Sequence, residues 1–205
     1  MVGYSGSFCA SVDAWAVALD RSVGAGWRKT SDGSDWDAWS DIAALPGGGY
    51  LVTGNTKSYG AGDYALWAAQ LDSSGHLQWQ KTYGASGADF AHMAIPTVSG
   101  AFVLGTTCSA TPGTGQLWVL SLNATGASNW QKVYGTSDGA VDVVAAGDGG
   151  LWVLDGSGSS GGFLFREPHN AVFRSVPQQS TEPSGAPISL ESSWLTIVPS
   201  SLALA

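Results

Sequence analysis

The sequence predicts an all-β fold: a β-propeller of four-stranded antiparallel blades, four in number and closed by the C-terminal tail. Three observations predict it. Gly3, Gly54 and Gly105 recur every 51 residues, while Trp15, Trp67 and Trp118, and likewise Trp27, Trp79 and Trp130, recur at steps of 52 and 51. Within each copy a Leu stands eight residues ahead of the second Trp, as Leu71 does of Trp79. Short apolar runs alternate with period two between Gly, Ser and Asp clusters, and no window keeps a helical period. Several strands in a unit of about 50 residues, repeated, is the signature of blades that bury their faces only by stacking on one another.

The elements follow in order along a single domain, 1–205. Residues 3–33 carry the outer strands of a first blade whose inner strands are missing. The second blade, 37–84, supplies four runs: DIAALPG from Asp41, YLVTG from Tyr50, YALWAAQLD from Tyr64 and HLQWQKTYG from His76. In the third run Trp67, Ala69 and Leu71 share one face, and Ala68, Gln70 and Asp72 the other. Between the runs, PGGG, DSSG and GASG supply positive φ from Gly and side-chain acceptors from Asp and Ser. The third blade, 89–135, repeats the pattern. The fourth, 138–176, is eroded: Phe163 to Phe165 replace the Trp strand and AVFRSV, 171–176, stands for W-x-K. Residues 177–187 read as a Pro/Ser linker. Two β-rich runs, Ile188–Ser192 and Trp194–Val198, are expected to fold back as the missing inner strands and leave no sheet edge bare. The alternative is a fragment or half-ring that pairs with a second copy or with further sequence.

In each copy the last-strand Trp is expected to fill the wedge between neighbouring sheets. Lys29, Lys81 and Lys132 lie two residues beyond it, on the same face, where a stem along apolar surface or an ion pair fits better than catalysis.

A hydrophobic content of 44% with 10 Trp supplies a core, and charged residues reach only 12%. The formal net charge of -8, from 16 acidic against 8 basic groups, sets aside nucleic acid and anionic membrane surfaces. No signal-peptide pattern and no apolar run of about 18 residues appears, so no membrane insertion is expected. The chain is poor in Lys and rich in Gly, Ser, Thr and Trp, which points to an extracellular or cell-surface setting. Cys9 and Cys108 allow at most one disulfide and are expected as free thiols.

Propeller geometry gathers the loops between blades and the loops joining second and third strands on one face, here SDGSDWDAWSD and TKSYGAGD. Trp36 and Trp39 fall outside the repeating Trp set. With Asp35, Asp37 and Tyr59 they make a candidate ligand platform, in which rings stack on sugar faces and carboxylates accept hydroxyl hydrogen bonds. The other reading has the two Trp seal the junction with the closing strands. Asp37, Asp89 and Asp138 recur after the Trp strand and are expected to cap turns through backbone N–H bonds. His76, His92 and His169 lack partners at zinc-ligand spacing, and no D-x-D-x-D-G calcium loop occurs. GTSDG around Ser137 matches a nucleophile elbow but sits at an inter-blade turn, and the sequon Asn123-Ala-Thr125 occupies the slot of Asp72-Ser-Ser.

The series G-G-Y-x-V-x-G, W, L-D-x-x-G and W-x-K-x-Y-G resembles the bacterial surface β-propellers built from SBBP-type repeats, best over 37–84 and 89–135. The resemblance implies a propeller in an envelope or secreted setting and carries no catalytic residue across. L-D-x-x-G-x-x-x-W is also similar to the Trp-docking motif of quinoprotein dehydrogenases, which would imply a quinone and Ca²⁺. The acidic cluster and converging cations of such sites are not found in the sequence. No cofactor is expected. The expectation is a non-catalytic binding or adhesion propeller with a glycan or protein partner. Its alternative is a structural scaffold, open to self-association.

Overall fold

The computed structural model describes residues 1–6, 11–31, 33–61, 63–110, 113–134, 140–145, 151–155, 163–167 and 174–175. Their strands form four antiparallel meanders in chain order. The first contains β1 (Val2–Ser5), β2 (Asp13–Leu19) and β3 (Ala25–Ser31). The second contains β4 (Asp37–Ala44), β5 (Tyr50–Thr56), β6 (Ala65–Leu71) and β7 (Leu77–Tyr83). The third contains β8 (Asp89–Thr97), β9 (Gly100–Thr107), β10 (Gln116–Asn123) and β11 (Ser128–Tyr134). The fourth contains β12 (Ala140–Ala145), β13 (Leu151–Asp155), β14 (Phe163–Glu167) and β15 (Arg174–Ser175). The described residues hold no helix. Cys9, Ser137, Asp138, His169, the linker 177–187 and the closing runs 188–198 lie outside the described residues.

Two details differ from the sequence expectation. The first strand of the second sheet begins at Asp37, four residues before Asp41, because a β-bulge between Trp39 and Asp41 interrupts the alternation. The same bulge falls between Ala91 and Met93 in the third sheet. The first sheet has three strands where two were expected. β1 pairs Gly3 with Trp15, just as Gly54 faces Trp67 and Gly105 faces Trp118. Four residues are too few for alternation to register, so the sequence does not reveal β1. The bulge also accounts for the repeated glycine. A Cβ on Gly54 would lie 2.0 Å from the Ala38 carbonyl oxygen, and one on Gly105 2.0 Å from that of Phe90.

Sheets stack face to face in sequence. Ala14 and Ala16 of β2 pack with Trp39, Val52, Trp67, Ala69 and Leu71 of the second sheet. Leu51 and Leu66 on that sheet's other side meet Ala91, Val103, Trp118, Leu120 and Leu122 of the third. Leu104, Leu117, Val119 and Tyr134 then meet Leu151 of the fourth. The parity read from β6 therefore holds: Trp67, Ala69 and Leu71 face the preceding sheet.

The last-strand Trp joins neighbours as a latch. The Trp27 indole N–H donates to the Ser73 carbonyl at 3.1 Å in the hairpin of the next sheet, and that of Trp79 is shared between Gln70 Oε1 of its own sheet at 2.6 Å and the Ala124 carbonyl of the next hairpin at 3.1 Å. Gly75 and Gly126, at φ 77° and 73°, form the floors on which these rings lie. The hairpins are closed by a side-chain acceptor: Asp72 Oδ1 takes the N–H groups of Ser74 and His76, and Asn123 Oδ1 those of Thr125 and Ala127. These bonds, with the His76 N–H foremost, hold the Asp72 carboxyl below the usual carboxylate range. Turn chemistry thus fills the slot of the sequon. The Lys132 ammonium lies over the Trp130 ring, 5.3 Å from its centroid, a cation–π contact.

Candidate functional site

Because neighbouring strands are antiparallel, the starts of β4, β6 and β8 and the ends of β1 and β5 share one end of the stack. Four aromatic rings meet there. Tyr4 at the end of β1 lies 5.9 Å from Trp36, just ahead of β4; Trp36 lies 5.4 Å from Tyr64, just ahead of β6; and Tyr64 lies 5.1 Å from Phe90 in β8. The row crosses three successive sheets. Tyr4 is 62% exposed, and the other three are half-buried.

One ion pair flanks the row. Lys57 Nζ is 2.8 Å from an Asp63 carboxylate oxygen and 4.2 Å from the Tyr64 ring centroid. The hydrogen bond to Asp63 raises the Lys57 pKa, so the ammonium is retained. Asp35 Oδ1 accepts the Trp36 N–H at 2.7 Å, and this residue is exposed.

The backbone that presents these groups is fixed by a buried carboxylate. Asp37, fully buried, accepts the Thr56 hydroxyl and, at 2.7 Å, the Ser58 hydroxyl, with the Ser58 N–H at 3.4 Å. That clamps Thr56-Lys57-Ser58, whose Lys57 N–H donates to the Trp36 carbonyl at 2.8 Å. Asp89 repeats the device on Thr107 and Ser109, and also accepts the Ala85 N–H at 3.0 Å. In this second copy Ala88 and Cys108 stand where Trp36 and Lys57 do, with the equivalent N–H to carbonyl bond at 2.9 Å. Same frame, different cargo.

The expected platform is thereby redrawn. Trp36 and Asp35 stand at the site. Trp39 does not: it is 6% exposed inside β4 and stacks on Trp67 at 3.8 Å, facing the first sheet rather than solvent. Asp37 does not either, since hydroxyl and amide donors occupy its oxygens. The turn-capping role expected of Asp37 and Asp89 is present in these N–H bonds, with hydroxyl partners added. Tyr59, 40% exposed, tilts against Trp67 at 5.7 Å and covers the Trp39–Trp67 stack. Sequence reasoning missed Tyr4, Tyr64, Phe90, Lys57 and Asp63. Lys57 had a usable signal, as the variable residue of a repeated T-x-S.

No protein-family model matches the chain, and no curated protein does. Among solved structures it is similar to a protein of unknown function from Bacteroides caccae, with a TM-score of 0.50 and 14% sequence identity, over 88% of this chain and 58% of that one. The chain thus spans a little over half the length of that relative. At this identity the likeness concerns the fold alone.

Two histidines lie among the described residues. His92 Nε2 and the Thr106 hydroxyl are 2.8 Å apart, and desolvation lowers the imidazole pKa. His76 Nδ1 rests on Asp72 at 3.1 Å. Among the described residues no three His, Cys, Asp or Glu side chains converge as a metal site would require.

Proposed function

We propose that the four sheets are blades of a β-propeller related to the SBBP-type surface proteins, that it acts outside the cell, and that it is a non-catalytic binding module. One observation carries the function: the aromatic row Tyr4–Trp36–Tyr64–Phe90, flanked by a preset ammonium and carboxylate, on the end of the stack where sheets meet. Such a surface offers apolar contact and fixed polar orientation, the two ingredients of a ligand site. A glycan is the first candidate ligand. In a fluorescence titration over a glycan array, the native chain is expected to shift its tryptophan emission with at least one glycan. Trp36→Ala should abolish that shift at an unchanged melting temperature. Equal response of both proteins would remove the row from the function.

The ring closes, in this reading, as four blades, with one strand from 188–198 laid on the free edge of β1. The first sheet supports it. Trp15 is half-buried and Leu19 is 44% exposed, where their counterparts Trp67 and Leu71 are 1% and 7% exposed beneath a preceding sheet. A face of that composition calls for a cover, and its edge for a partner strand. Removing 188–205 is expected to lower the melting temperature by about 10 °C, from the loss of a few kcal/mol of pairing and packing. Light scattering should give a monomer. An unchanged transition, or a dimer, would favour the rival: a half-ring completed by a second copy or by more chain.

A further inference from the structure

We infer that the ligand of the aromatic row is a single, uncharged oligosaccharide chain in solution, an inference that rests on the binding reading above. The ring geometry carries the first half. Successive rings are turned by 44°, 81° and 38° from one another, so no two neighbours present a common plane. A flat crystalline polysaccharide face needs coplanar rings to rest on. A free chain, whose sugar units rotate about each linkage, can set one C–H face on the exposed Tyr4 ring and meet the differently turned Trp36 with the next unit, while at Tyr64 it meets the Lys57 ammonium that lies over that ring. The row also crosses three sheets, which suits an extended oligomer better than one monosaccharide.

Charge carries the second half. Lys57, the one cation that the described residues show in the site, is already held by Asp63 at 2.8 Å, and Asp35 adds a further carboxylate beside Trp36. The chain as a whole carries -8. A uronic-acid or sulfated polymer would therefore meet like charge with no spare cation to receive it. Neutral hydroxyls meet the opposite situation. Lys57 and Asp63 sit side by side as donor and acceptor, matching the paired donor and acceptor character of adjacent hydroxyl groups.

The test uses the full chain with soluble cello-, laminari-, xylo- and manno-oligosaccharides, soluble oligogalacturonate, and insoluble microcrystalline cellulose. At least one neutral soluble oligosaccharide should bind with affinity nearly independent of salt. Binding should weaken at least tenfold in Trp36→Ala and, as a second variant, in Tyr64→Ala, both checked for an unchanged melting transition. Binding that depends on Trp36 but prefers oligogalacturonate, crystalline cellulose or a protein overturns this inference and leaves the binding reading standing. Absence of any Trp36-dependent ligand overturns both.

Discussion

Trp67→Ala is expected to cost about 4 kcal/mol, the upper range for truncating a buried aromatic, because the side chain is fully enclosed and its neighbours cannot collapse into the space. Trp67 is 1% exposed, lies flat on Trp39 at 3.8 Å and 23°, and is closed from outside by Tyr59. The backbone opposite is Gly54, which has no side chain to move in and is pinned by the Ala38 carbonyl. Trp79→Ala should cost about half as much, since that ring is only half-buried and its contribution is wedge filling plus a hydrogen bond. Urea denaturation of the three proteins checks the order. If Trp67→Ala lost less than about 1 kcal/mol, the Trp39–Trp67 stack would not be a core contact between sheets.

Much of the fold was legible because repetition multiplies weak signals. A single run such as YALWAAQLD is ambiguous, but the same landmarks in one register at three places are not. Boundaries failed where local geometry breaks the period of two, at the Trp39/Asp41 bulge and in the short β1. The site was legible only in part, for a related reason. Repeats reveal what is common to the copies, namely the frame, whereas the site is made of what differs. Trp36 could be flagged as an aromatic without counterpart. Tyr4, Tyr64 and Phe90 belong to different sheets and come together only through stacking, which no spacing rule encodes. Trp39 had the same off-template signature as Trp36 and the opposite fate. Three residues and a strand boundary separate a ring turned towards solvent from one turned into the core.

Asp89→Ala should show what the repeated acid contributes, at an expected cost of about 3 kcal/mol. The carboxylate is fully buried and takes the Thr107 and Ser109 hydroxyls and the Ala85 N–H, so its loss removes an acceptor from three donors, of which the exposed Ala85 N–H keeps a second acceptor in the Ser109 hydroxyl at 3.2 Å. Thr107 is buried and cannot turn to water, whereas Ser109 is half-buried and recovers part of its loss. Asp89→Asn keeps the shape and one acceptor oxygen but faces a hydroxyl with an amide N–H₂, and should cost roughly half as much. Asp72→Ala is the control. It removes the acceptor of two backbone N–H groups from an exposed hairpin, where water replaces it, and should leave the urea midpoint nearly unchanged. Hydrogen exchange distinguishes the mechanism from simple loss of stability: in Asp89→Ala the Ala85 amide should exchange faster relative to the strand amides of β9 and β10. Uniform acceleration would mean that the acid stabilises the sheet as a whole and does not clamp the loop. In that case the equivalent hold of Asp37 on Lys57 could not be what sets the ammonium beside Tyr64.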